Sequence, residues 1–178
     1  MMHDRHYSIS RSLVDWQVDK LILTLAVMIG LPLMVHALPV GRAVNLGQRW
    51  IPIFYAALWA AYFFRPHVAF GAALYAPLAN RLITGNPAAG TVQMLTVELL
   101  VFVAIIYFVF RPRRYFWISG FAAYAVAKIV SILLFEIILS GASWSIAAHE
   151  GLQSVMTAWP GLCVLTVISC LIGMRRYG

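Results

Sequence analysis

Three ionisable residues sit inside long apolar runs: Glu98, Lys128 and Glu136. A lone charge at the centre of a bilayer costs about 2.5–3.5 kcal/mol on insertion scales, so each needs a partner or a task. Glu98 lies seven residues in from one end of its run, and Lys128 lies 13 residues in from the opposite end of its own. At ~1.5 Å of rise per residue, both fall roughly 10 Å below the same surface, where a carboxylate and an ammonium on neighbouring helices can pair. Such a pair fixes helix register, and it also makes a polar floor for a pocket open to that surface. The two roles are compatible. Glu136 stands nearer its helix end and can reach the interface.

Other polar and aromatic side chains fall at span ends. His149-Glu150 reads as a solvated pair in a loop, and His36 and His67 as histidines that satisfy local hydrogen bonds. Asn80 and Arg81 make their run the least lipid-like, so it faces protein or water. Membrane tryptophans and tyrosines gather in interfacial belts, and Trp117 beside Arg114 reads that way. Trp50 and Trp144 stand at the mouths of loops, where a flat ring can also stack on a ligand.

Enzyme signatures are missing. A rhomboid-type site needs Gly-x-Ser-Gly with a helical histidine, whereas Trp117-Ile118-Ser119-Gly120 lacks the first glycine. The chain has no phosphate loop, HExxH pair or paired-carboxylate motif, so it is not expected to be an enzyme or to hydrolyse ATP. Cys163 and Cys170 share a helix face about 10 Å apart, too far for a disulfide. They read as buried small apolar residues. No His or Cys spacing suits a metal, so neither a metal nor an intrinsic cofactor is expected.

The elements that must position these residues are helices. Of 178 residues, 62% are hydrophobic and only 11% charged, far from the balance of a soluble domain. Apolar runs of about 17 to 25 residues recur, the length that crosses ~30 Å of hydrocarbon as helix. Lipid leaves no backbone group unpaired, and the runs are too long for barrel strands. The expected fold is therefore an all-α integral membrane protein, a six-transmembrane-helix bundle in one domain. Residues 1–20 form an amphipathic lead-in carrying Trp16, residues 21–174 the membrane domain and residues 175–178 a short tail. No cleavable signal peptide is evident in the lead-in, which mixes Asp4, Asp15 and Asp19 with Arg5, Arg11 and Lys20.

The expected spans are Leu21–Leu38, Trp50–Phe64, His67–Thr84, Thr91–Phe110, Tyr115–Leu139 and Leu152–Met174. Gly85-Asn86-Pro87 is a turn signal, and Arg65-Pro66 closes the short second span. With the N-terminus inside, the inner segments hold Arg5, Arg11, Lys20, Arg65, Arg111, Arg113, Arg114, Arg175 and Arg176. The outer segments hold only Arg42, Arg49 and Arg81. Nine against three places both termini in the cytoplasm by the positive-inside rule. The same rule accounts for the net charge of +7 without nucleic acid, since the basic residues form no single patch. The outer loops are then Pro39–Arg49, Gly85–Gly90 and Ser140–Gly151, richer in Asn, Ser, His and Trp than the inner turns.

Small residues repeat at four-residue spacing, as Ala26 and Gly30 and as Ala56 and Ala60. Such pairs let helix backbones approach closely, within the bundle or against a partner subunit.

Residues 49 to 110 resemble the substrate-binding S components of energy-coupling factor (ECF) vitamin transporters. The resemblance rests on Arg49-Trp50-Ile51-Pro52, Arg65-Pro66-His67 with Gly71, Pro77-Leu78, Leu82-Ile83-Thr84-Gly85-Asn86-Pro87, and Glu98-Leu99. Where that family often has His before Ile-Pro, this chain has Arg49-Trp50, so first-loop contacts do not carry over. The resemblance implies a six-helix bundle in the bacterial cytoplasmic (inner) membrane, with both termini inside. It implies a vitamin as transported ligand, held near the outer face by the first, third and fifth loops and the outer halves of helices four to six. The implied contacts are Trp50, Asn80, Arg81, Asn86, Glu98, Lys128, Trp144 and His149. Ala26 and Gly30 are similar to the Ala-x-x-x-Ala element that docks on the transmembrane coupling subunit. Partner ATPases supply the energy, although some members work alone.

Solo S components similar in length handle cobalamin, the leading ligand by resemblance. Pantothenate, a queuosine precursor or another small vitamin is the alternative. Some cobalamin types ligate cobalt through a cysteine near the third-helix end, but this chain has Asn80 there and no cysteine before Cys163. A different class of reading is a non-transport scaffold similar in fold to the cell-shape protein MreD. It expects outer loops packed shut over a dry apolar core.

Overall fold

The structure, a computed structural model, describes residues 4–37, 46–85, 87–111, 116–141 and 143–177. Among these residues it is helical throughout, with no strand. Helix α1 spans Asp4–His36, α2 Leu46–Trp50, α3 Pro52–Phe63, α4 Pro66–Thr84 and α5 Ala89–Ile105. A 3-10 turn, Phe116–Ile118, leads into α6 (Ser119–Ile132), and α7 runs from Trp144 to Tyr177. Helices α5 and α6 each end in wider π turns, Ile106–Phe110 and Leu133–Leu139.

Local chemistry sets several of these boundaries. Pro52 and Pro66 begin α3 and α4 at the position where a missing N–H costs nothing. Gly85 ends α4 with φ 75°, and its N–H closes onto the Arg81 carbonyl. This is the left-handed cap that glycine adopts without penalty. The N-terminal lead-in is continuous with the first apolar run in α1. Trp144–Gly151, expected as loop, is the first part of α7, because the Ser143 carbonyl accepts from the N–H groups of Ile146 and Ala147 and starts the turn.

Helix α3 is apolar on every side, and a helix of that kind belongs in the interior. Nine of its 12 residues are buried, and Phe54 packs edge-to-face on Phe102 of α5 and on Tyr124 of α6. Ala56 and Ala60 are buried with it and let neighbouring helices approach. At the end of α3, Arg111 donates from Nη1 to the carbonyls of Phe64 (2.9 Å) and Ala61 (3.4 Å). A guanidinium there satisfies two carbonyls that have no further turn to bond and complements the helix dipole. The Tyr107 ring lies 4.6 Å from the same guanidinium. Between α6 and α7, a Cβ on Gly120 would fall 2.7 Å from the Ser169 hydroxyl, so glycine permits that crossing.

Among the described residues, four helical segments are long and apolar enough to cross a membrane: Gln17–Val35, Ala89–Phe110, Ser119–Leu139 and Trp144–Arg175. Their outward faces carry apolar side chains such as Ile22, Met34, Phe108, Ile138, Met156 and Val167, a belt too extensive for a surface in water. Helix α3 is shorter, about 18 Å of rise against ~30 Å of hydrocarbon. Helix α4 has 19 residues, but His67, Asn80 and Arg81 lower its apolarity. Cys163 and Cys170 are free thiols, but not buried as expected: Cys163 is exposed and Cys170 half-buried.

Candidate functional site

One end of the bundle holds a cavity of about 630 Å³. Its walls come from the C-terminal halves of α1, α4 and α6 and the N-terminal parts of α5 and α7, with α2 and the start of α3 across the mouth. Helical spacing aims each set inward. Thr91, Met94, Leu95 and Glu98 share a face of α5, while Tyr124, Lys128, Ile132 and Glu136 recur every fourth residue along α6. On α7, Glu150, Gly151 and Ser154 do the same. A smaller hollow of about 200 Å³ shares Gln48, Glu150 and Ser154 and adds Gln153 and Thr157.

The floor is an ion pair. Lys128 Nζ lies 2.7 Å from Glu98 Oε1, and the Ser131 hydroxyl donates to the same oxygen at 2.8 Å. Only 12% of the lysine side chain and 6% of the glutamate side chain are exposed, so the pair is desolvated and each charge depends on the other. Ser131 is one helical turn beyond Lys128, so α6 supplies both donors to the α5 carboxylate.

Asn80 occupies the last turn but one of α4. It is 8% exposed, it lines the cavity, and its Oδ1 has no hydrogen-bond partner among the described residues. A buried acceptor left unsatisfied costs about 1–3 kcal/mol, which a donor brought into the cavity can recover.

The bend that closes one wall is at Ile51, where φ is 42° and ψ 45°. A β-branched residue in left-handed geometry is strained by about 1–3 kcal/mol, and only surrounding contacts hold it there. Those contacts include α7. A Cβ on Gly161 of α7 would come within 2.7 Å of the Trp50 carbonyl group and 2.6 Å of Ile51. The Tyr55 hydroxyl donates to the Trp50 carbonyl and ties the bend to α3.

No protein-family model, curated protein or solved structure matches this chain. Its chemistry is therefore read from the cavity itself.

Of the residues singled out in the sequence, Asn80, Glu98 and Lys128 meet at the cavity. Arg81 does not line it; its Nη1 donates to the Pro87 carbonyl at 3.3 Å and braces the α4–α5 turn. Trp50, Trp144 and His149 are exposed, and none lines the cavity. Asn86 lies outside the described residues. Ala26 is exposed, and a Cβ on Gly30 would meet nothing within 4 Å, so this part of α1 leaves its small-residue face unpacked.

Sequence reasoning missed Tyr124, Ser131, Ser154, Gln48 and the cavity positions of Glu136 and Glu150. The signal for the α6 members was present, since Tyr124, Ser131 and Glu136 share the face of Lys128. Glu150 was hidden by reading its segment as loop. Chemically, the site offers carboxylate, amide and hydroxyl groups on an aromatic and aliphatic wall, the composition of a small-molecule pocket. Among the described residues, no three acidic, His or Cys side chains cluster to hold a metal ion.

Proposed function

We propose that this chain is a membrane-embedded substrate-binding protein for vitamin uptake, similar in role to an ECF S component. In this reading α3 and α4 also traverse the bilayer, giving six spans with both termini in the cytoplasm of a bacterial cell. The observation that carries the proposal is the cavity of about 630 Å³ with its buried Glu98–Lys128 floor. It opens at the end of the bundle that the arginine and lysine bias assigns to the outside. A buried pair at that depth is expensive, and a solute pathway is the usual reason for one.

The size lies within the range that encloses drug-sized ligands, so it favours a one- or two-ring vitamin over cobalamin. A scaffold of the MreD type needs no polar hollow, and the open cavity supports binding over that alternative. Partner ATPases, with or without a dedicated coupling subunit, would supply energy, and the unpacked Ala26–Gly30 face is the candidate docking element. The test is ligand binding by the detergent-purified chain across a panel of water-soluble vitamins, together with growth rescue of uptake-deficient auxotrophs. Binding and rescue by the same vitamin are expected; neither binding nor rescue by any vitamin would overturn the reading.

A further inference from the structure

We infer that the cavity selects a small organic cation, a solute bearing a protonated amine or a positively charged heteroaromatic ring. The inference rests on the reading of this cavity as a solute site and adds the charge class of its ligand. Among the described residues, four ionisable side chains line the cavity: the carboxyl groups of Glu98, Glu136 and Glu150 and the amine of Lys128. Lys128 is paired with Glu98 at 2.7 Å. Glu136, half-buried, and Glu150, exposed, have no ion-pair partner among the described residues, so within this set acidic groups outnumber basic ones by two.

An independent observation points the same way. The Oδ1 of Asn80, on a different helix and 8% exposed, is a buried acceptor that lines the cavity without a donor among the described residues. An N–H group on the ligand satisfies it, whereas a carboxylate or phosphate cannot. Tyr124 and Phe54 add aromatic wall, which attracts cations through the ring quadrupole. A bare metal ion is not the occupant this arrangement suits, because the three carboxylates do not converge into a ligand cluster. An anionic solute would have to approach two free carboxylates or separate Lys128 from Glu98.

The test is calorimetric titration of the purified full chain at neutral pH. Thiamine and pyridoxamine serve as cationic probes, pyridoxine and nicotinamide as uncharged ones, and pantothenate and biotin as anionic ones. Binding by a cationic probe is expected, weakened about tenfold or more in the Glu136→Gln, Glu150→Gln double variant. That variant should melt as wild type does, since neither residue is ion-paired. Binding only by anionic or uncharged probes overturns the charge inference while leaving the uptake reading intact. Cationic binding that the double variant does not weaken also overturns it. Binding by none of the six also overturns the charge inference, whereas the uptake reading falls only if the full vitamin panel and the growth rescue fail as well.

Discussion

Lys128 Nζ and Glu98 Oε1 lie 2.7 Å apart across thirty residues of sequence, joining α6 to α5 beneath the cavity. The Ser131 hydroxyl, 2.8 Å from the same oxygen, completes the carboxylate's shell from the lysine's own helix. Register between the two helices and polarity at the cavity floor are thus one feature.

Glu98→Ala strands a buried ammonium and is expected to lower stability by about 3–5 kcal/mol. Replacing both partners, Glu98→Leu with Lys128→Leu, should recover most of that loss while altering ligand binding. Thermal unfolding of the three proteins in one detergent measures this. A single variant as stable as wild type would show that the pair holds nothing together.

Gly161 sets how closely α7 approaches the bend at Trp50 and Ile51. Gly161→Ala places a methyl 2.7 Å from the Trp50 carbonyl group and should cost about 1–3 kcal/mol by overpacking. Gly30→Ala meets nothing within 4 Å and should be neutral or stabilising by about 0.5–1 kcal/mol. Melting temperatures that move together in these two variants would argue against a special contact at Gly161.

Arg111 clamps the end of α3 through its carbonyls. Arg111→Lys keeps the positive charge but loses the planar fork, so stability should fall without any change of sidedness. Arg111→Ala should fall further, by about 1.5–3 kcal/mol in total. Unfolding in detergent reads the first effect, and cysteine accessibility in cells reads the second.

Sidedness has a direct check. With Cys163 and Cys170 replaced by alanine, Ser143→Cys should react with a membrane-impermeant maleimide in intact cells. Arg65→Cys should react only after permeabilisation. The reverse pattern would invert the orientation and move the cavity to the cytoplasmic side.

Much of this architecture was legible in the chain. Hydropathy and turn chemistry act locally, so the long apolar runs, the break at Arg65-Pro66 and the Gly85 stop could be read residue by residue. The Glu98–Lys128 pair was also legible, because depth follows from counting residues along each run. The Trp144–Gly151 segment was not. Its polar composition resembles a loop, yet the Ser143 carbonyl and the two alanines that follow make it helix.

By itself the sequence determined that this protein is helical, that its basic residues cluster between long apolar runs, and that Glu98 and Lys128 stand at a similar depth. Only the tertiary structure decided which side chains face the cavity. Rotation about a helix axis and the closeness of each crossing depend on all neighbours at once, so no local pattern reports them. His149 and Glu150 are adjacent, but a turn of about 100° puts the second in the cavity lining and leaves the first out of it. Asn80 was a candidate contact from the sequence, but only the packed bundle buried its oxygen without a donor among the described residues.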